Sequence, residues 1–178
     1  MIMDALMFFD GSQSSSGVLS GTTVSSGSTF TSGATTDSAN IIDVSQIASS
    51  ASGLGRDIGA TGEAHDLNII CQVLTTFTGS SSTLQIEVQT APDNGSGSPG
   101  STWTPLALSN AIPLTGLTGG TEIFRVTVPL GVQKFLKLTY IVGTANMTAG
   151  QIMSFIAVDR TFLGPSLGYK SGYSNQYL

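Results

Sequence analysis

A chain of 178 residues carries a formal net charge of −5, with only 10% of its residues charged and 22 of them glycine. That length suits one domain with a real core, and a charge content below the roughly 25% of a typical soluble domain leaves uncharged polar residues, or partner surfaces, to stand in for charge. The acidic balance and scattered cations exclude a phosphate-tracking nucleic-acid surface, no apolar run approaches the ~20 residues of a membrane helix, and the single cysteine, Cys71, closes no disulfide within the chain.

Met1 to Asp10 reads as an apolar arm. It lacks the basic start of a secretion signal and contains Asp4. Exposed in water it would be unfavourable, so it is expected to dock on its own domain or on a neighbouring subunit. Met1, Ile2, Met3, Leu6, Phe8 and Phe9 are therefore candidate interface residues, and deleting the arm is expected to leave the domain folded. Gly11 to Asn40 is mostly Ser, Gly and Thr, a linker or loose loop in which Val18, Leu19, Val24 and Phe30 can pin one or two edge strands. Ile41 to Val44 is a brief strand. Arg56 to Glu63 is a charged, glycine-punctuated turn, and Arg56 beside Asp57 is a candidate ion pair, across a subunit interface or within the turn.

The strong alternation begins at His65 to Phe77, where Leu67, Ile69, Cys71 and Val73 share one side. Gly79 to Ser82 turns the chain, and Thr83 to Thr90 returns with Leu84, Ile86 and Val88 inward and Gln85, Glu87 and Gln89 outward. That pattern predicts a sheet with one wet face. Ala91 to Gly100 is an exposed loop by its turn residues. Trp103 to Leu108 is a strand that Pro105 assigns to an edge. Glu122 to Val128 follows. Phe135 to Val142 and Gln151 to Val158, facing each other across the small residues Gly143 to Gly150, read as a hairpin. Gly164 to Leu178 is a polar tail whose Tyr169, Tyr173 and Tyr177 recur at spacing four, a contact stripe or a segment packed on its own sheet.

Short strands with turn signals every ~8–12 residues suggest an all-β, antiparallel β-sandwich or jelly roll. The expected organisation is an arm and Ser/Gly-rich segment over 1–40, the sandwich over 41–163 and the tail over 164–178.

Motifs that resemble chemistry fail on context. Gly164 to Gly168 matches the G-x-S-x-G elbow, but no Asp, Glu or His follows Ser166. Gly53 to Gly59 has one residue too many for a dinucleotide loop and leads into a strand. His65 is the single histidine, and nothing selects a serine to go with it. One Cys and one His make no zinc site, and Asp37, Asp43 and Asp57 are too scattered for calcium. Asn94 and Asn146 open glycosylation sequons, read as chance matches without a secretion signal. The expectation is no catalytic residues, no metal, no cofactor and no enzymatic activity.

The chain resembles the jelly-roll cement (decoration) proteins that coat the heads of short-tailed bacteriophages. The resemblance lies in Met1 to Leu6, in Asn40 to Asp43 followed by Gly55 to Gly59 and Gly62-Glu63, in Ile112 to Leu114, Val128 to Gly131 and Phe135 to Tyr140, and in Gly143, Thr148 to Gly150 and Val158 to Arg160. It departs in the long Ser/Gly-rich stretch Gly11 to Asp37 and at Phe135 and Lys137, where a more polar or arginine-bearing strand is expected. The resemblance implies a non-enzymatic virion protein, made in the host cytoplasm. It would form a homotrimer and bind the outer surface of the capsid where major capsid proteins meet, with no nucleic acid or membrane partner. The competing class is a carbohydrate-binding or fibre/adhesin sandwich, which needs aromatic faces for sugar; Trp103 and the three tail tyrosines are its candidates.

Overall fold

Every second side chain of an extended segment faces the same way, so period-two sequence becomes strand wherever a core waits on one side. A computed structural model describes residues 7–13, 18–25, 30–44, 67–129 and 131–158. Its strands are β1 (Phe8–Asp10), β2 (Ser12–Gln13), β3 (Leu19–Ser20), β4 (Thr22–Ser25), β5 (Thr35–Asp37), β6 (Ile42–Asp43), β7 (Leu67–Gly79), β8 (Thr83–Ala91), β9 (Thr104–Leu108), β10 (Ile112–Pro113), β11 (Glu122–Thr127), β12 (Phe135–Gly143) and β13 (Met147–Val158).

Two antiparallel sheets pack face to face. One runs β4–β13–β7–β11, with β1 sharing the β13 edge with β4; the other runs β5–β12–β8–β9, with β6 beside β5 and β10 beside β9. Among these the eight principal strands are β4, β5, β7, β8, β9, β11, β12 and β13. The first pairs with the eighth, the second with the seventh, the third with the sixth and the fourth with the fifth. A long antiparallel ribbon rolled up on itself gives this pairing, and it is the topology of a jelly roll. Strands β2 and β3 form a separate two-stranded ribbon.

The expected hairpin between Phe135 to Val142 and Gln151 to Val158 does not form. β12 lies in one sheet and pairs with β8, while β13 lies in the other and pairs with β7. The turn after β7 behaves alike, sending β8 to the opposite sheet. Alternation specifies which face is buried, not which strand lies alongside. Local geometry explains the crossings. Ser81 and Thr144 both adopt positive φ, 55° and 69°, and the two crossovers stack, with Ser82 Oγ donating to the Asn146 carbonyl at 3.0 Å. A Cβ on Gly79 would stand 2.7 Å from that carbonyl, so the stacking needs glycine there.

The core lies between the sheets. Ile69, Cys71, Val73 and Phe77 of β7 and Ile152 and Ile156 of β13 meet Leu84, Ile86 and Val88 of β8 and Leu136, Leu138, Tyr140 and Val142 of β12. Each fully buried aliphatic or aromatic side chain contributes about 1.5–3 kcal/mol. β13 is bulged around Gly150, where its register against β7 shifts. With φ at +145° and Phe77 Cγ 2.6 Å from where a Cβ would sit, only glycine fits.

The N-terminal segment belongs to this core. Phe9 and Phe30 are 0% and 1% exposed, and the Phe30 ring packs on Tyr140 at 5.5 Å and on Phe77 at 6.1 Å between centroids. The Ser/Gly-rich stretch supplies edge strands to both sheets, β4 to one and β5 to the other. The expectation that the whole arm can be removed without unfolding the domain is therefore corrected: Phe8, Phe9 and Asp10 are structural residues.

Candidate assembly surface

Asp10 ends β1 inside the sandwich, 1% exposed. Its Oδ2 accepts from Tyr140 Oη at 2.5 Å and from Ser154 Oγ at 2.8 Å. Its Oδ1 accepts from Thr22 Oγ1 at 2.9 Å and from the Ala39 backbone N–H at 3.0 Å. Tyr140 and Ser154 lie 2.8 Å apart. One carboxyl group thus joins β1, β4, β12, β13 and the turn before β6. The Asn40 N–H completes the join by donating to the Phe9 carbonyl at 2.9 Å. Burial pushes the Tyr140 phenol well above its ordinary range, reinforced by Cys71 and Asp10. Burial raises the Cys71 thiol in the same way, with Asp10 and then Glu122 adding to it. Closed to solvent and held from several sides, this cluster is an anchor for the N-terminal strand and not a reacting centre.

The two flanks of the sandwich differ. On the outer side of the β5–β12–β8–β9 sheet, Lys137 Nζ donates to Asp37 Oδ2 at 2.7 Å and Thr139 Oγ1 to Asp37 Oδ1 at 2.8 Å. On β8, Gln89 donates to Glu87 of the same strand. Lys137 Nζ also sits 4.5 Å from the centroid of Trp103, which makes the lone tryptophan a lid on this ion pair and not a core residue. The outer side of the other sheet is apolar: Phe8, Ile70, Met153, Phe155 and Ala157 form a second buried cluster with Leu74 packed against it. Apolar side chains that are more openly exposed are Val18 at 64%, Leu108 at 54%, Ile41 at 46% and Leu19 at 38%.

The loop between β8 and β9, at the closed end of the rolled ribbon, is built from its own polar side chains. Asp93 Oδ1 accepts from Gly95 N at 2.8 Å and Gly97 N at 2.9 Å, and its other oxygen pairs with Lys134. Asn94 Oδ1 accepts from Ser96 N at 2.8 Å and Ser96 Oγ at 2.7 Å. The Lys134 hydrogen bond, with those of Gly97 and Gly95, holds Asp93 below the usual carboxylate range, and Asp93 raises Lys134 in return.

Of the candidate interface residues, Phe8 and Phe9 are placed inside this chain's own packing, on opposite sides of β1, 2% and 0% exposed. Met1, Ile2, Met3, Leu6, Arg56, Asp57, Tyr169, Tyr173 and Tyr177 lie outside the described residues, as do His65 and the glycine motifs at 53–59 and 164–168. The Asp10 cluster went unread in the sequence. One signal for it exists: Tyr140 sits among the inward residues of β12, and a buried phenol needs a partner for its hydroxyl.

A rolled antiparallel sandwich with an internally anchored N-terminal strand defines the class as a jelly-roll domain. Residues 24–156 match the model of the Bbp16 family, a phage-associated family, from within β4, the first strand of the roll, to within β13, the eighth. The chain belongs to the Bbp16 family. No curated protein matches it.

Proposed function

We propose that this chain is a structural protein of the phage particle, decorating and cementing the outside of the capsid as a homotrimer that bridges major capsid proteins. The observation that carries the reading is the family match over residues 24–156, which reaches all eight strands of the roll, in a phage-associated family. Its charge-poor composition, 10% of residues, suits a subunit that shares its surface with partners. Its net acidity suits a face turned away from nucleic acid. Cementing by a trimer is multivalent: three copies of a modest contact act at high effective concentration, so individually weak sites hold as one clamp. The role is non-enzymatic and needs no cofactor or metal.

A sugar-binding reading requires an open aromatic face. The tail tyrosines lie outside the described residues, and Lys137 already occupies one face of Trp103, which leaves that ring less open to a sugar. This favours the cement reading over a carbohydrate-binding or adhesin module.

The test is co-sedimentation of purified chain with capsids assembled without it, alongside its solution mass by light scattering. Saturable binding and a mass near three chains support the proposal. A monomer that stays in the supernatant, or binds a glycan array instead, contradicts it.

A further inference from the structure

Asn94 precedes Gly95 in an exposed loop, and its side-chain amide and the Gly95 backbone N–H are held by separate partners. We propose that Asn94 is a self-modification site, at which the Gly95 nitrogen attacks the Asn94 side-chain carbonyl and the residue is converted to aspartate and isoaspartate.

Three features of the loop serve that chemistry. The nucleophile's N–H points at Asp93 Oδ1, 2.8 Å away, so a carboxylate is in place to take the proton. The carbonyl under attack receives N–H and O–H donors from Ser96 at 2.8 and 2.7 Å, and Ser98 N lies further off at 3.4 Å. These donors stabilise the negative charge that develops on that oxygen. Gly95, at φ +89°, has no side chain to obstruct ring closure. Lys134, paired with the other oxygen of Asp93, fixes the direction of the carboxylate.

The steps balance without any group beyond water. The Gly95 nitrogen bonds to Asn94 Cγ while its proton passes to Asp93. The Cγ–Nδ2 bond breaks and ammonia leaves, carrying that proton. The resulting five-membered succinimide is opened by water at either carbonyl. Opening at one gives aspartate; opening at the other gives isoaspartate, with an extra methylene in the backbone beside the Asp93–Pro99 bridge. The other asparagines have a side chain on the following residue: Asn40 precedes Ile41, Asn68 precedes Ile69, Asn110 precedes Ala111, Asn146 precedes Met147 and Asn175 precedes Gln176. They serve as controls within the same molecule.

The experiment incubates the purified full chain at mildly alkaline pH, folded in buffer or unfolded in urea, and maps peptides by mass with an isoaspartyl-specific methylation assay. The expected result is a gain of about 1 Da at Asn94, at least about tenfold faster in the folded chain than in the unfolded one. The peptides carrying the other five asparagines stay unchanged. Asp93→Asn is expected to bring the folded rate down to the unfolded rate, and Asn94→Gln to abolish the change. A folded rate no faster than the unfolded rate overturns the proposal, as does an Asp93→Asn chain that folds and keeps the full excess.

Discussion

Tyr140 in β12 donates its hydroxyl proton to Asp10 in β1 at 2.5 Å, across the sandwich and across 130 residues of sequence. The bond ties an N-terminal edge strand of one sheet to a central strand of the other. Both side chains are essentially excluded from solvent, 1% exposed each. Tyr140→Phe is expected to cost about 1–3 kcal/mol, because Asp10 loses a donor where water cannot replace it. Asp10→Ala takes the acceptor from the Thr22 hydroxyl, the Ala39 N–H and the Tyr140–Ser154 hydroxyl pair, which keep only each other, and is expected to cost about 3 kcal/mol or more. Urea unfolding of the two single variants and the double variant measures this, and a coupling of roughly 1 kcal/mol or more is expected. Additive effects would show that the bond is not a unit.

A chain begun at Gly11 loses Phe8, Phe9 and Asp10, all buried. Phe9→Ala alone is expected to cost about 3–5 kcal/mol, a large share of a domain's usual ~5–15 kcal/mol. Circular dichroism and calorimetry of the shortened chain should therefore show a large fall in melting temperature or loss of cooperative unfolding. An unchanged transition would place the arm outside the fold.

Cys71 is 0% exposed, and burial pushes its thiol up, so little thiolate exists at neutral pH and reagents have no path to it. Its labelling by a thiol reagent in native buffer is expected to require global opening and to rise with urea along the slope of equilibrium unfolding. Labelling at the rate of a free cysteine would contradict this packing.

The Asp93–Lys134 pair predicts how the β8–β9 loop responds to pH. Asp93 is held below its ordinary range, so its contribution is in place above the pKa of an unperturbed aspartate and is lost as pH falls through the lowered value. Lys134 is held above its ordinary range, so its contribution is in place below the usual lysine pKa and is lost as pH rises through the raised value. The loop is thus expected to hold from mildly acidic to mildly alkaline conditions and to loosen in strong acid. The Gly95 and Gly97 amide signals, both donors to Asp93, report it by NMR: their acid transition should fall below that of an unperturbed aspartate.

Single strands were legible wherever one face is wet. β8 alternates buried and partly exposed residues along its length, and the inward set Leu136, Leu138, Tyr140 and Val142 of β12 stands as the pattern predicts. Pro105 correctly marked β9 as an edge strand. Pairing was not legible. Turns as short as Gly79 to Ser82 suit either a hairpin or a crossing between sheets, and the choice rests on a long-range contact, the stacking of Ser82 on Asn146. The Ser/Gly-rich stretch was expected to hold one or two edge strands, and β4 and β5 are such strands, but their bounds and partners were hidden because Ser and Thr carry almost no hydrophobic period; β13 and β12 hold them by backbone pairing. Ile70, Met153 and Phe155, apolar on the far side of their sheet, break the simple alternation and were absorbed into the apolar runs.

The most direct test of the cement reading is averaged cryo-electron microscopy density of the phage that encodes this chain. The account predicts jelly-roll sandwiches on the outer capsid surface, grouped in threes where major capsid proteins meet. Density for the chain inside the shell or confined to the tail, or none on the capsid exterior, would contradict it.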